Sequence, residues 1–225
     1  MSFCKKKENF GIYGIYKTDK HIIKGEKMKN LLRFSDEHFI IDMMYARENN
    51  MVGQAVYQTV GFGNNAYMHE KVAEALLSLV PILEKNKLKM RICDAYRPPI
   101  AHQKMLEIIP IKGFFKADYK ESNHCHGTAV DVCLTDMDGN NLDYPTEIDA
   151  YEKRYAEQVL KGDFSEFSVH LQKARHDYTK ASAKQIQNRE FLKNLMEEHG
   201  FTSIPHEWWH YNIADWENYP VVEWK

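Results

Sequence analysis

The sequence predicts an α+β fold: a single domain in which a small, mostly antiparallel sheet is flanked by helices. Strand-like and helix-like segments are interspersed along the chain without the regular strand–helix–strand repeat of a parallel sheet. The 225 residues fit one domain, and no internal repeat, low-complexity tract or Pro/Gly/Ser-rich linker divides them. We therefore expect one domain over residues 1–225, with residues 1–35 as an arm packed on it.

Several segments have the patterns of strands. Residues 88–93 alternate apolar and basic side chains, as in a half-buried strand, and residues 128–135 predict a second strand. Asp138-Gly139 is a hairpin turn signal that leads into residues 141–144. Residues 207–213 predict the last strand, which closes the core.

Apolar residues at helical spacing predict helices over much of the remaining chain. The clearest covers residues 183–199, where Gly200 is the natural C-terminal cap. The other predicted helices cover residues 66–84 with Pro81 in the last turn, a segment from Pro98-Pro99 to about residue 109, and residues 147–160, followed by a helix or irregular segment over residues 164–176.

Composition excludes several classes of function. A net charge near −2 argues against a nucleic-acid or anionic-membrane partner, and the 44% apolar and 28% charged residues are ordinary for a globular protein. No apolar run approaches the length of a membrane span, and residues 10–16 are too short and glycine-broken for the core of a signal peptide. The four cysteines have no CxxC spacing, as in proteins of a reducing compartment. These observations predict a cytoplasmic protein.

His124 and Asp131 form the first candidate pair of metal ligands. They are seven residues apart, and Gly127 lets the chain turn between them so that they converge. A carboxylate within an apolar strand is costly to bury unless it is paired or bound to a metal, which favours a ligand role over a structural salt bridge. On spacing alone His126 is a rival ligand to His124. Cys125 is a weaker alternative, because a thiolate would reduce the Lewis acidity of the metal.

Glu207 and His210 lie in the tryptophan-rich segment that contains Trp208 and Trp209. Residues three apart on an ideal strand point to opposite faces, so the chain must twist or turn if both address one metal. Two histidines and one carboxylate leave a coordination position open, as in catalytic zinc sites, and Glu207 is placed to act on a water there. The alternative is a core strand with incidental histidines, and His206 is expected in a loop.

Arg97 follows a predicted strand and precedes two rigid prolines. This arrangement aims a guanidinium into a cleft, where it is able to stabilise the oxyanion that develops on an attacked carbonyl. The alternative is a structural pair with a carboxylate.

Together these clusters resemble the zinc D-alanyl-D-alanine dipeptidases, the family that includes the vancomycin-resistance dipeptidase. The order and spacing of the motifs agree from about residue 40 to residue 213. The resemblance is carried by Asp94-Ala95-Tyr96-Arg97-Pro98, by Ser122, His124, Gly127, Ala129 and Asp131, and by Glu207-Trp208-Trp209-His210-Tyr211. Weaker support comes from Tyr45-Ala46 with Asn50 and Gly53, and from Asn188-Arg189 leading to Met196 and Gly200-Phe201.

The resemblance implies a role for each site residue and one Zn²⁺ per chain at the face of the sheet. The implied zinc ligands are His124, Asp131 and His210, which favours His124 over His126. Glu207 is implied as the general base and Arg97 as the group that stabilises the transition state. Ser122 and Asp149, with Asp143 as a lesser candidate, are expected to bind the substrate's ammonium group, and Tyr45 is expected to line the pocket.

The activity implied is hydrolysis of the small dipeptide D-Ala-D-Ala to two D-alanines. A first alternative is a peptidoglycan D,D- or L,D-carboxypeptidase that acts on longer stem peptides. A second is a non-catalytic, zinc-containing binding module. Glu207 and Arg97 argue against the second, because a structural zinc site needs neither and is usually closed by four protein ligands.

Overall fold

A five-stranded sheet is the main element of the fold. The computed structural model describes residues 31–112, 114–148 and 153–224. The described residues form seven strands: β1 Leu31–Arg33, β2 Phe39–Ile41, β3 Tyr67–His69, β4 Lys89–Asp94, β5 Ala129–Thr135, β6 Phe201–Ile204 and β7 Glu207–Ile213. The five-stranded sheet has the order β2-β4-β5-β7-β6. Its β2–β4 pair is parallel and its other pairs are antiparallel, while β1 and β3 form a separate antiparallel pair.

Helices pack around this sheet, so the predicted α+β fold with a mostly antiparallel sheet is confirmed. The helices of the described residues are α1 Val56–Thr59, α2 Glu70–Leu77, α3 Val80–Asn86, α4 Pro99–Ile108, α5 Lys153–Leu160, α6 Ser165–Ala174 and α7 Ala183–Glu198. Helix α7 packs against β6 and β7, α6 contacts β7, and α3 contacts β4. Short 3₁₀ helices lie at Met44–Ala46, Tyr119–Glu121, Asn123–His126 and Trp216–Asn218. None of the described helices is long and apolar enough to cross a membrane.

The two faces of β5 carry different side chains. All of its residues are buried, and successive side chains of a strand point to opposite faces. Val130, Val132 and Leu134 therefore share one face, where they belong to the apolar core. Asp131 lies on the opposite face, which carries the polar cluster of the site.

Helix α7 shows how local sequence fixes the ends of an element. The Ser182 hydroxyl accepts a hydrogen bond from the Gln185 backbone N–H at 3.1 Å, and the Gln185 side-chain oxygen accepts one from the Ser182 N–H at 3.0 Å. This reciprocal capping box satisfies two N–H groups that the helix leaves unpaired. Gly200 follows the helix with a φ of +90°, a conformation that glycine adopts without steric cost. The helix predicted over residues 183–199 is confirmed to within one residue.

Other predicted elements are also confirmed. The strands predicted over residues 88–93, 128–135 and 207–213 correspond to β4, β5 and β7. The helix predicted after the two prolines is α4, and the segment over residues 164–176 contains α6. The predicted hairpin turn follows β5, and an antiparallel bridge between Thr135 and Asn141 closes it.

The single helix predicted over residues 66–84 is wrong. The structure has β3 followed by two helices, α2 and α3, in this region. Residues 67–69 pair with β1, a long-range contact that helical periodicity does not reveal. Pro81 lies in the first turn of α3, where its missing N–H is tolerated, whereas a proline inside one long helix would break it.

Two further predictions concern residues that the structure describes only in part. Of the predicted arm, residues 1–30 lie outside the described residues, and Leu31–Arg33 forms β1. Of the helix predicted over residues 147–160, the described part is helical from Lys153, and residues 149–152 lie outside the description. Pattern did not predict β2, β6 or α1, because each is too short to show a period.

Candidate active site

His124, Asp131 and His210 converge at the face of the sheet. His124 belongs to the 3₁₀ helix Asn123–His126, while Asp131 and His210 are directly paired residues of β5 and β7. The Asp131 Oδ1 atom lies 3.0 Å from His210 Nδ1 and 3.4 Å from His124 Nε2, and the two ring nitrogens are 3.2 Å apart. All three side chains are buried. Among the described residues, these are the His, Cys, Asp or Glu side chains that lie close enough together, in a group of at least three, to hold one metal ion.

Gly127 brings His124 onto this face. It ends the 3₁₀ helix with a φ of +69°, after which the chain enters β5. A side chain at this position would also collide with the Leu31 side chain. The turn that places the first ligand beside the second therefore requires glycine.

The backbone of the loop after β4 orients the His124 ring. Its Nδ1 lies 2.7 Å from the Ala95 carbonyl oxygen, an acceptor to which Nδ1 must donate. In the neutral ring Nε2 is then unprotonated and faces His210 and Asp131. A carbonyl that fixes the tautomer of a histidine in this way is characteristic of metal ligands. Two imidazole nitrogens and a carboxylate oxygen meeting at one point form a donor set that fits a divalent cation.

The electrostatics of the cluster favour positive charge. Burial works to lower the pKa of His124, but the carboxylates of Asp131 and Asp94 raise it to about 9. Burial likewise works to raise the pKa of Asp131, yet His124 and His210 bring it below its usual value. A cation bound between these side chains would replace a proton that the carboxylates already attract.

Glu207 lies next to this cluster. One of its carboxylate oxygens is 3.9 Å from His210 Nδ1, and its side chain is 33% exposed. The required twist in the chain is present, because Ser203 of β6 pairs with Tyr211 whereas Ile204 pairs with Glu207. One step along β6 thus spans four residues of β7, and this irregularity lets side chains three residues apart face one cluster.

Arg97 is fixed by a buried ion pair with Asp94. Its Nη2 and Nε lie 2.7 and 3.2 Å from the same Asp94 oxygen, Oδ2. Its backbone N–H donates to the His124 carbonyl oxygen at 3.0 Å, which ties the arginine to the first ligand. Burial works to lower the pKa of Arg97, but Asp94 raises it well above its ordinary value. Within the described part of the chain Nη1 makes no hydrogen bond, so it is available to a ligand.

Comparison with known proteins agrees with this geometry. The sequence model of the D-Ala-D-Ala dipeptidases, peptidase family M15, matches residues 34–221. The chain belongs to this family. It is 29% identical over 182 residues to the D-alanyl-D-alanine dipeptidase of Escherichia coli K12, an alignment that covers 81% of this chain and 82% of that protein. It is 26% identical over 199 residues to the D-alanyl-D-alanine dipeptidase of Enterococcus faecium, which covers 80% and 87%. The protein is therefore a metallopeptidase that acts on dipeptides.

The side chains expected to bind a dipeptide differ in where they lie. Ser122 is buried immediately before the 3₁₀ helix of His124. The Tyr45 ring is also buried, and its centroid lies 5.1 Å from the Arg97 guanidinium carbon. Asp149 lies outside the described residues. The lesser candidate, Asp143, accepts a hydrogen bond from the Gln185 side chain at 2.9 Å.

The rival ligands do not join the metal cluster of this dipeptidase-family chain. Both ring nitrogens of His126 face backbone carbonyl oxygens, that of Tyr219 at 2.5 Å and that of Lys120 at 2.8 Å. Burial raises the pKa of the Cys125 thiol to about 12, which disfavours the thiolate that binds metals. His206 lies in an exposed turn between β6 and β7, as expected for a loop residue.

A cleft of about 910 Å³ lies on the same side of the sheet as the metal cluster. Cys133, which lines it, stands two residues from Asp131 on β5 and so shares its face. Trp208 lines the cleft as well and stacks on Tyr144 with ring centroids 4.0 Å apart. The metal-cluster residues, Glu207 and Arg97 are not among the residues that line this cleft.

Sequence reasoning missed three aromatic residues, two near the site and one in the cleft. Tyr57 donates a hydrogen bond to Asp94, the Phe115 ring lies 5.9 Å from the Arg97 guanidinium carbon, and Tyr144 stacks in the cleft. These residues come from separate parts of the chain and belong to none of the three motifs. Only the folded packing brings them to these positions.

Proposed function

We propose that this protein hydrolyses free D-Ala-D-Ala to two D-alanines with zinc as its metal. The observation that carries the proposal is the buried cluster of His124, Asp131 and His210 with Glu207 beside it, in a chain of the D-Ala-D-Ala dipeptidase family. Three protein ligands of nitrogen and oxygen type suit a catalytic zinc, which keeps one position open. Its relatives in Escherichia coli and Enterococcus faecium are named for this substrate.

In the proposed mechanism Glu207 transfers the proton and Arg97 stabilises the negative charge that develops on the substrate. When bound, zinc would supply a Lewis acid that polarises the scissile carbonyl and acidifies water. Glu207, partly exposed and next to His210, takes a proton from the attacking water and returns it to the leaving amine. Arg97 offsets the negative charge on the carbonyl oxygen in the transition state through Nη1, which makes no hydrogen bond to the described residues.

Selection for a free dipeptide requires a group that recognises its ammonium end. Ser122 and Asp149 are our candidates, on the resemblance of their motif positions. A carboxylate there would favour an unblocked N-terminus, because an acylated peptide would leave it buried without a partner. Tyr45, packed against Arg97, would form part of the pocket wall.

The proposed substrate bears on where the enzyme acts and on its role in the metabolism of the cell wall. A cytoplasmic enzyme would act on free D-Ala-D-Ala, whereas a peptidoglycan carboxypeptidase would act on longer stem peptides. The cytoplasmic location predicted from the sequence stays a prediction, and immunodetection of the protein in fractionated cells would check it.

The test compares D-alanine release by the zinc-loaded protein from D-Ala-D-Ala, L-Ala-L-Ala and N-acetyl-D-Ala-D-Ala. We expect release from the first alone. Cleavage of the acetylated peptide would instead assign the protein to the carboxypeptidases and remove Asp149 from the site. No cleavage of any substrate by metal-loaded protein would favour the binding module.

A second arm tests the general base. Glu207→Gln is expected to lower kcat by about 10²- to 10⁴-fold, the usual contribution of a general acid–base, while zinc content stays at one per chain. Glu198→Gln, the same change on an exposed residue at the end of α7, is the matched control and should keep full activity. A Glu207→Gln enzyme with wild-type kcat would refute the assignment.

A further inference from the structure

The Asp94 carboxylate accepts four hydrogen bonds and so determines where Arg97 points. Oδ2 accepts from Arg97 Nη2 at 2.7 Å and Nε at 3.2 Å. Oδ1 accepts from the Tyr57 hydroxyl at 2.6 Å and from the Ala95 backbone N–H at 3.0 Å. Asp94 is completely buried, so water does not replace a partner that is lost.

Tyr57 contacts Asp94 and Tyr45, the two side chains that adjoin the Arg97 guanidinium. Besides its hydrogen bond to Asp94, its ring packs edge-on against Tyr45 with centroids 5.8 Å apart. Tyr45 in turn lies 5.1 Å from the Arg97 guanidinium carbon. Tyr57 is itself fully buried and comes from α1, 37 residues away from Asp94 in the chain.

The terminal torsion of an aspartate has a broad energy profile, so its carboxylate turns unless hydrogen bonds fix it. The Tyr57 hydroxyl makes the shortest hydrogen bond to Oδ1. Without it, the Ala95 N–H alone would hold that oxygen, and the plane of the carboxylate would be free to rotate. Because both Arg97 nitrogens bind Oδ2, such a rotation would displace the guanidinium from its present position.

We propose that Tyr57 is a positioning residue for hydrolysis: its hydroxyl fixes the Asp94 carboxylate and thereby aims Arg97 at the developing oxyanion. The proposal rests on the proposed function. The hydroxyl of Tyr57 donates to Asp94, so Tyr57 acts through Asp94 and Arg97.

The test is Tyr57→Phe, which removes one oxygen and keeps the ring. We expect kcat for D-Ala-D-Ala to fall by about 10- to 100-fold, as for a transition-state group misplaced by about 1 Å. KM should stay within about twofold and zinc content should not change. Tyr96→Phe is the matched control, since Tyr96 is also a buried residue and its hydroxyl donates to the Val222 carbonyl oxygen at the same 2.6 Å. Tyr96→Phe should lower the thermal midpoint by about as much as Tyr57→Phe does and should leave kcat unchanged.

A double-mutant cycle separates positioning from general destabilisation. In an Arg97→Ala background, Tyr57→Phe should cause no further loss of kcat, because the residue that it positions is gone. The same fold loss in both backgrounds, loss of zinc, or equal kcat for Tyr57→Phe and Tyr96→Phe would each overturn the proposal. A wild-type protein that leaves D-Ala-D-Ala intact would overturn the proposed function and this inference together.

Discussion

Asp131→Asn tests the electrostatic design of the metal cluster. The substitution keeps the shape of the side chain and removes its charge. Asp131 Oδ1 lies 3.0 Å from His210 Nδ1 and 3.4 Å from His124 Nε2, so the neutral amide would face both rings. We expect the metal affinity to fall sharply, because the carboxylate is both a ligand and the nearest negative charge to the ion.

The magnitude follows from the attraction of the site for charge. The pKa of His124 rises from 6.5 to about 9, which corresponds to about 3 kcal/mol in favour of a positive charge. Asp131 is the larger of the two carboxylate causes. Burial and Arg97 oppose the positive charge, so the two carboxylates together contribute more than this net value. The share of Asp131 is then at least about 1.5 kcal/mol, and a divalent cation would lose about twice that, or about 3 kcal/mol. This corresponds to at least about 10²-fold in metal affinity.

The assay is competition for zinc against a chromophoric chelator at fixed pH. Asp138→Asn, the same change at an exposed position in the turn after β5, is the control and should bind zinc as the wild type does. NMR titration of chelator-treated protein should also show a lower pKa for His124 in the Asp131→Asn variant. Wild-type zinc affinity in that variant would refute both the ligand assignment and the electrostatic argument.

Two further predictions concern stability. Gly127→Ala should lower the thermal midpoint more than Gly61→Ala, because both force a left-handed φ, at +69° and +72°, but a side chain at Gly127 also meets Leu31; equal losses in calorimetry would contradict this account. Burial lowers the pKa of His102 and His170 to about 4. Since the unfolded chain binds those protons from about pH 6.5 downward, the free energy of unfolding should fall between pH 6.5 and 4. In denaturant unfolding of chelator-treated protein, the free energy of unfolding of His170→Gln should fall less steeply with decreasing pH than that of the wild type. An unchanged slope would contradict the role assigned to His170.

Much of the site could be predicted because its chemistry lies in short motifs. His124 and Asp131 are separated by one turn that glycine permits, and Glu207 and His210 lie on one strand. Residues so close in sequence are constrained to be close in space whatever the rest of the fold does. The irregular β6–β7 pairing that lets Glu207 and His210 share a side was required by their chemistry and is present.

The rest depends on contacts between distant segments. Tyr67–His69 pairs with Leu31–Arg33, and this pairing overrides the helical period that residues 66–84 show as a sequence. Tyr57 donates to Asp94 from 37 residues away, and nothing in its local sequence indicates a buried carboxylate as its partner. Tertiary packing decides such cases, and a single sequence does not contain that information in periodic form.

The cleft on the same side of the sheet as the metal cluster has consequences for how this family diversifies. The chemistry lies on β5, β7 and the end of β4, whereas much of the cleft wall is the connecting segment of residues 141–148. Connecting segments accept substitutions and changes of length more readily than the strands they join. A lineage could therefore reshape this wall while its hydrolytic residues stay unchanged. Relatives with the same metal cluster are thus free to differ in the shape of this cleft.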